Sequence, residues 1–344
     1  ERAKITRLAL GFGSEPFVLS ASVAEAWETV VDRLEAAYKH RLSGSSGREP
    51  APASTADGGD SPATAERVNG GNIRPRGATV HTAAIDGAPI DSGKLATTVA
   101  SIKQSLVPTD GAATRTLSGT VLETLVREFP FLVGGSADLT GPTCTHVPGV
   151  VPFGHDSPQG RYLHYGVREH AMGAIMNGIA LHGPFVPYAG TFLAFADYMK
   201  PAIRLSALMN QQVIYVMTHD SVALGEDGPT HQPIEQLSSY RALPNLLVLR
   251  PADHLEVAEA WEVALGRTDG PSMILLTRQA IKVGGREYRE ENLVRRGGYL
   301  VSPAERKPAI TIVASGSEVP PALSAAEELN RSGIPTDVVS LPCL

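Results

Sequence analysis

The sequence predicts a doubly wound α/β protein with a mainly parallel sheet, and three observations carry that prediction. Short continuous apolar runs, such as Val213–Met217, Leu246–Leu249 and Met273–Leu276, suit strands buried on both faces. From Thr114 onward such runs alternate with helix-length segments, the pattern of β-α-β units. Polar, glycine-containing stretches follow directly after several of the strands, where open α/β sheets bind their ligands.

Taken in order, Ala9–Phe17 reads as a loop, and Val23–Tyr38 as an amphipathic helix preceded by Ser22. The chain from about 43 to 113 is rich in Ser, Gly, Pro and Ala and lacks a sustained apolar period. It is expected to be an irregular linker containing one short helix near Leu95–Leu106. Helix is expected at Leu117–Phe129, Arg168–His182, Phe192–Asn210 (bent near Pro201), Ile234–Ala242 and Leu255–Leu265. Besides the three runs above, strands are expected at Phe131–Gly135, Tyr162–Gly166 and Phe185–Thr191. In the helix after Gly166, Met172, Ile175, Met176 and Ile179 form the apolar stripe. Beyond the polar stretch Gly284–Arg296, a second unit begins with strand Ala309–Ala314, helix Ser317–Arg331 and strand Thr336–Leu341. The expected division is therefore 1–42, 43–113, 114–296 and 297–344, with the last unit too small to be a whole domain.

Composition bounds the function. Of 344 residues, 42% are hydrophobic and 19% charged, enough apolar mass for a substantial core. The net charge of −6 comes from interleaved acids and bases, with no basic stripe for nucleic acid. No apolar run approaches the roughly 20 residues that span a bilayer, so no membrane partner is expected. The two cysteines, Cys144 and Cys343, imply no disulfide framework and suit a reducing compartment, the cytoplasm or a plastid. Because the first residue is Glu, the chain is expected to be part of a longer polypeptide.

Two stretches concentrate chemistry. Glu169 falls in the first turn of a helix just after a strand. It has two readings: a carboxylate favoured there by the helix dipole, or a functional acid at the ligand-binding edge. The run Thr218-His-Asp-Ser through Gly225-Glu-Asp-Gly-Pro-Thr-His-Gln-Pro233 carries two histidines and three acids directly after a buried strand, more than a turn requires. Phe192, Phe195 and Tyr198 share one helical face and read either as core packing or as a pocket wall.

In order along the chain, Thr114-Arg-Thr-Leu-Ser, Gly134-Gly-Ser-Ala-Asp-Leu-Thr140, Tyr165-Gly-Val-Arg-Glu-His-Ala-Met-Gly178 with its intervening residues, Gly190-Thr-Phe-Leu, the 218–233 run, Leu249-Arg-Pro-Ala-Asp253 and Thr277-Arg-Gln279 resemble the pyrimidine-binding domain of transketolase, a thiamine diphosphate enzyme. Ala9-Leu-Gly-Phe resembles the end of that family's preceding domain, and Ala314-Ser-Gly-Ser-Glu-Val319 the start of its C-terminal domain. The resemblance implies a thiamine diphosphate-binding fold and a homodimeric parent with its site at the subunit interface. The implied reaction moves a two-carbon ketol unit from xylulose 5-phosphate to ribose 5-phosphate or erythrose 4-phosphate.

Role by role, the resemblance assigns Glu169 to the cofactor's aminopyrimidine nitrogen, and Phe192, Phe195, Tyr198 and Asp138 to the cofactor's surroundings. It assigns His231 to the donor's reacting carbonyl, Asp227 to the acceptor's C2 hydroxyl and His219 to the far end of the sugar. Arg115 and Arg278 would hold the sugar phosphate, a role that suits a guanidinium fork. Taken singly, each arginine also reads as a solvated surface residue, and Asp138 as a turn cap.

Two departures matter. Pro142 stands where the family has a serine, so that phosphate contact is lost or passes to Thr143. The family's Gly-Asp-Gly motif with its following asparagine, which carries Mg2+ and the diphosphate, does not occur; Asp57-Gly-Gly-Asp60 is no substitute. No metal ligands are therefore expected on this chain, which would be inactive by itself. The other readings are a related thiamine enzyme (deoxyxylulose phosphate synthase or a 2-oxo acid dehydrogenase β subunit) and a non-catalytic fragment or interaction module of the same fold.

Overall fold

The structure, a computed structural model, describes residues 90–106, 111–281 and 286–343, all within one structural unit. The expected loop at 9–17, the helix at 23–38 and the linker up to residue 89 lie outside the described residues. The expected doubly wound sheet is present, with six parallel strands in the order β2-β1-β3-β4-β6-β5. These are β1 (Leu132–Ser136), β2 (Tyr162–His164), β3 (Val186–Phe192), β4 (Ile214–Thr218), β5 (Leu247–Leu249) and β6 (Ser272–Leu276). The order reverses between β2-β1 and β3, so the chain winds first one way and then the other, opening a crevice at the strands' carboxyl ends.

Helices cover both faces. On one lie α1 (Ser92–Ser105), α2 (Thr114–Glu128) and α7 (His254–Gly266), packing Leu95, Leu122, Leu125 and Trp261 against Tyr188 and Ile274. On the other lie α4 (Glu169–His182), α5 (Lys200–Leu208) and α6 (Gln236–Arg241), packing Met172, Met176, Ile203 and Tyr240 against Tyr215 and Leu275. A single turn, α3 (Thr140–Thr143), follows β1. Burial on both faces explains why β4 and β6 read as near-continuous apolar runs rather than alternating ones.

Three expectations need correction. The short helix expected near Leu95–Leu106 is present as α1, but it has 14 residues and is part of the core rather than of an irregular linker. The Asp91 carboxylate caps it, accepting from the backbone N–H of Gly93 at 2.8 Å and of Lys94 at 3.0 Å. Leu95, Val99 and Ile102 are buried on one face, and buried Lys103 pairs with Glu259 of α7 at 2.7 Å. Second, Ile175 does not join the stripe of α4; it is 45% exposed while Met172 and Met176 fill the core. Third, the expected helix Phe192–Asn210 is split: a 3-10 stretch, Leu193–Met199, precedes α5, and Pro201 stands in the first turn of α5. A proline lacks the N–H that an interior position would use, so the chain restarts there instead of bending through it.

The C-terminal sheet has the order β7-β9-β8, formed by β7 (Tyr299–Ser302), β8 (Ile310–Ala314) and β9 (Thr336–Ser340), with α8 (Val319–Arg331) crossing between the parallel pair β8 and β9. The antiparallel edge strand β7 was not expected from the sequence.

Candidate active site

The crevice is built strand by strand. β1 ends in Gly134-Gly-Ser136, and a Cβ on Gly135 would fall 2.2 Å from the Tyr165 ring and 2.8 Å from the Leu163 carbonyl oxygen. Glycine there lets the chain after β2 cross close above β1 and deliver Glu169 to the first turn of α4. The Glu169 carboxyl is buried, and among the described residues its one hydrogen bond is a long one, 3.4 Å from the Thr191 hydroxyl of β3.

β3 ends at Phe192, whose ring centroid lies 4.2 Å from His219 and 5.5 Å from His231. Phe195 lies 5.8 Å from Phe192 and 5.0 Å from His231, and Tyr198 lies 6.3 Å beyond. Phe192 is buried but Phe195 is only half-buried, and Tyr198 is 70% exposed. Core packing thus accounts for the first ring and not for the other two.

β4 delivers His219. Its Nδ1 lies 3.1 Å from the Thr218 hydroxyl and its Nε2 3.3 Å from Asp227 Oδ2. Burial, followed by the nearby Arg115 guanidinium, pushes its pKa down to about 4, against the opposing pull of Asp227. The ring is therefore neutral at pH 7. A proton on Nε2 then faces the carboxylate and leaves Nδ1 to accept from Thr218.

Arg278, beyond β6, reaches the same loop: Nη1 donates to the Leu224 carbonyl at 3.1 Å, Nε lies 3.1 Å from Asp227 Oδ2, and Nη2 pairs with Glu226. Glu226 is largely exposed and can yield its place to a phosphate at little cost. Arg115 donates from Nη1 to the Pro142 carbonyl at 2.9 Å, so the proline that cannot serve a phosphate anchors an arginine instead. Asp138 lies at the mouth, exposed and in the left-handed region at φ 62°.

Thr143 does not join them. It is fully buried, its hydroxyl donating to the Leu139 carbonyl at 2.7 Å and lying 3.0 Å from the Thr145 hydroxyl, because it packs beneath β3 rather than facing the crevice. Sequence reasoning also passed over Thr191, Asp220 and Arg250. Asp220 and Arg250 are a buried ion pair at 2.8 Å, signalled only by charged residues placed directly after apolar strands. Among the described residues no group of three or more His, Cys, Asp or Glu side chains could hold a metal ion.

The family model for the transketolase pyrimidine-binding domain matches residues 110–283, about half the chain, and that for the transketolase-like C-terminal domain matches 297–344. The chain belongs to the transketolase family. It is 44% identical over 339 residues to the transketolase of Cereibacter sphaeroides, covering 97% of this chain and 46% of that one. Among solved structures it resembles the Pichia stipitis transketolase complex with sedoheptulose 7-phosphate, with a TM-score of 0.67 and 43% identity over 73% of this chain and 39% of that one. It also resembles a split-gene transketolase described as an inactive β4 tetramer, with a TM-score of 0.55 and 29% identity over 67% of this chain and 71% of that one. The chain thus spans less than half the length of the first of these relatives. The polar runs that resemble transketolase sequence lie at the carboxyl ends of β1, β3, β4 and β6.

Proposed function

We propose that this chain supplies the pyrimidine half of a transketolase active site, with residues 114–296 as the pyrimidine-binding part and the diphosphate half lying elsewhere. The observation that carries the reading is Glu169: a buried carboxyl with one long hydrogen bond, opening beside half-exposed aromatic rings and two histidines. An acid placed only for the helix dipole is normally solvated, and core packing does not account for Phe195 or Tyr198.

Thiamine diphosphate fits those groups and, when bound, supplies the nucleophilic carbon of ketol transfer. The residues of this chain bind, orient and move protons around it. Glu169 would share a proton with the pyrimidine nitrogen while Phe192, Phe195 and Tyr198 form an apolar wall that excludes water. The half-buried His231 would offer a ring nitrogen to the carbonyl of a sugar, and neutral His219 would reach a hydroxyl at the sugar's far end by turning its Nε2–H from Asp227. Asp227, held between His219 and Arg278, would take the acceptor's C2 hydroxyl, and Arg115 and Arg278 its phosphate. Xylulose 5-phosphate as donor and ribose 5-phosphate or erythrose 4-phosphate as acceptor fit this arrangement of arginines and histidines. Mg2+ would be held with the diphosphate by a Gly-Asp-Gly motif that this sequence does not contain. The exposed apolar side chains of Val167 just before α4, Ile175 on α4, and Leu205 and Leu208 on α5 support a homodimeric parent that covers them.

Isothermal titration of the chain with thiamine diphosphate and Mg2+ tests the half-site reading. Weak binding and no ketol transfer are expected, and tight stoichiometric binding would contradict it.

A further inference from the structure

Behind the crevice, one buried guanidinium joins two parts of the fold. Arg250 follows β5, and its Nε donates to Asp220 Oδ2 at 2.8 Å. On the other side Nη1 donates to the Ser315 carbonyl at 3.0 Å and pairs with Glu318, while Nη2 donates to the Ser317 hydroxyl at 3.0 Å. Ser315, Ser317 and Glu318 form the approach to α8 in the C-terminal sheet unit. Gly316 between them has φ 56°, and a Cβ there would meet Arg250 Cγ at 2.7 Å, so the close approach requires glycine. The Arg250 backbone N–H also donates to the Pro342 carbonyl at 2.7 Å, fixing the residue from both ends.

Asp220 immediately follows His219. Its other oxygen, Oδ1, is buried without a hydrogen-bond partner among the described residues, so Arg250 sets the carboxylate's orientation. The next residue, Ser221, accepts from the Ala223 backbone N–H at 3.2 Å and opens the 3-10 turn Val222–Leu224, whose last carbonyl receives Arg278. The backbone that carries His219 is thus held by a side chain whose other partners, Ser315, Ser317 and Glu318, belong to the C-terminal unit. A buried ion pair is a poor source of net stability compared with apolar packing but a good source of fixed geometry.

We propose that Arg250 is a positioning residue that clamps the C-terminal sheet unit onto the His219–Ser221 turn and thereby fixes the His219 ring in the crevice. Only the description of that crevice as a sugar site rests on the proposed function.

The test uses the whole chain and needs neither cofactor nor turnover. Amide hydrogen exchange is followed by mass spectrometry, and the His219 ring is titrated by NMR, its resonance assigned by its loss in His219→Gln. The charged and titratable groups facing that ring are Arg115, Asp227, Arg278 and His231. In Arg250→Met, amides of 219–224 should exchange at least about tenfold faster while 214–218 keep the wild-type rate. His219 should titrate at least about one pH unit above its native value as water reaches it. Arg250→Lys, which keeps the charge opposite Asp220, should restore part of both. Should Arg250→Met fail to fold, the double variant Ser317→Ala, Glu318→Gln leaves the Asp220 pair intact and should still speed exchange of 219–224. The proposal is overturned by native loop exchange and native His219 titration in a folded variant, or by exchange that rises equally in 214–218 and 219–224. Loss of the cofactor assignment would leave these readouts unchanged, so the two failures are distinguishable.

Discussion

His219 shows how a single residue ties stability to pH. Its folded pKa of about 4 lies below the ordinary value of 6.5, so between those values the unfolded chain binds a proton that the folded chain refuses. The contribution is fully present above about pH 6.5 and is lost as pH falls towards 4. Urea denaturation of wild type and His219→Gln should show the wild-type advantage shrinking by about 1–3 kcal/mol between pH 7 and pH 4.5. A difference constant across that window would mean that the ring is not buried as described. Neutrality also fits the proposed role in hydrogen bonding to a neutral sugar hydroxyl better than one in holding phosphate, the role proposed for Arg115 and Arg278. From sequence, the cluster of histidines and acids marked the loop, but which of them are buried depends on where Phe192 and Phe195 pack, and no local pattern reports that. For the same reason Thr143 looked available: its neighbour Pro142 is exposed, while its own hydroxyl turns inward beneath β3.

At the scale of elements, β4 and β6 were legible because parallel strands covered on both faces favour continuous apolar composition. α1 was the hard case. Its neighbours in sequence are Gly-, Ser- and Ala-rich, yet Leu95, Val99 and Ile102 recur at helical spacing and pack against the largely buried α7. Lys103 makes the helix more than a cover: its ammonium pairs with Glu259 and donates to the carbonyls of Arg289 at 2.6 Å, Glu291 at 3.2 Å and Glu290 at 3.3 Å. Replacing Lys103 with Met keeps the apolar stem but leaves those acceptors and Glu259 short of a cation. It should destabilise the chain by about 2–4 kcal/mol in urea denaturation, less if Arg286 compensates fully. Lys94→Met at the exposed start of the same helix should change stability by no more than about 0.5–1 kcal/mol. Equal effects would detach α1 from the core. β7 escaped notice because a four-residue edge strand with mixed burial carries no period long enough to read.

Over the whole molecule, topology does what no single motif can: the reversal of strand order brings Arg115, Glu169, Phe192, His219, Asp227 and Arg278, spread over more than 160 residues of sequence, to one edge of one sheet. Membership of the transketolase family supports the reading of that edge as the proposed pyrimidine half-site. Glu169 is the most direct point of test. Residues 111–344 would replace the corresponding part of the Cereibacter sphaeroides transketolase, and transfer from xylulose 5-phosphate to ribose 5-phosphate would be measured with saturating thiamine diphosphate and Mg2+. The hybrid should turn over, and Glu169→Ala should lower kcat by at least about 100-fold while stability changes by no more than about 2 kcal/mol. An active hybrid whose Glu169→Ala variant keeps its rate within about threefold would contradict the assignment of Glu169 as the carboxyl that activates the cofactor.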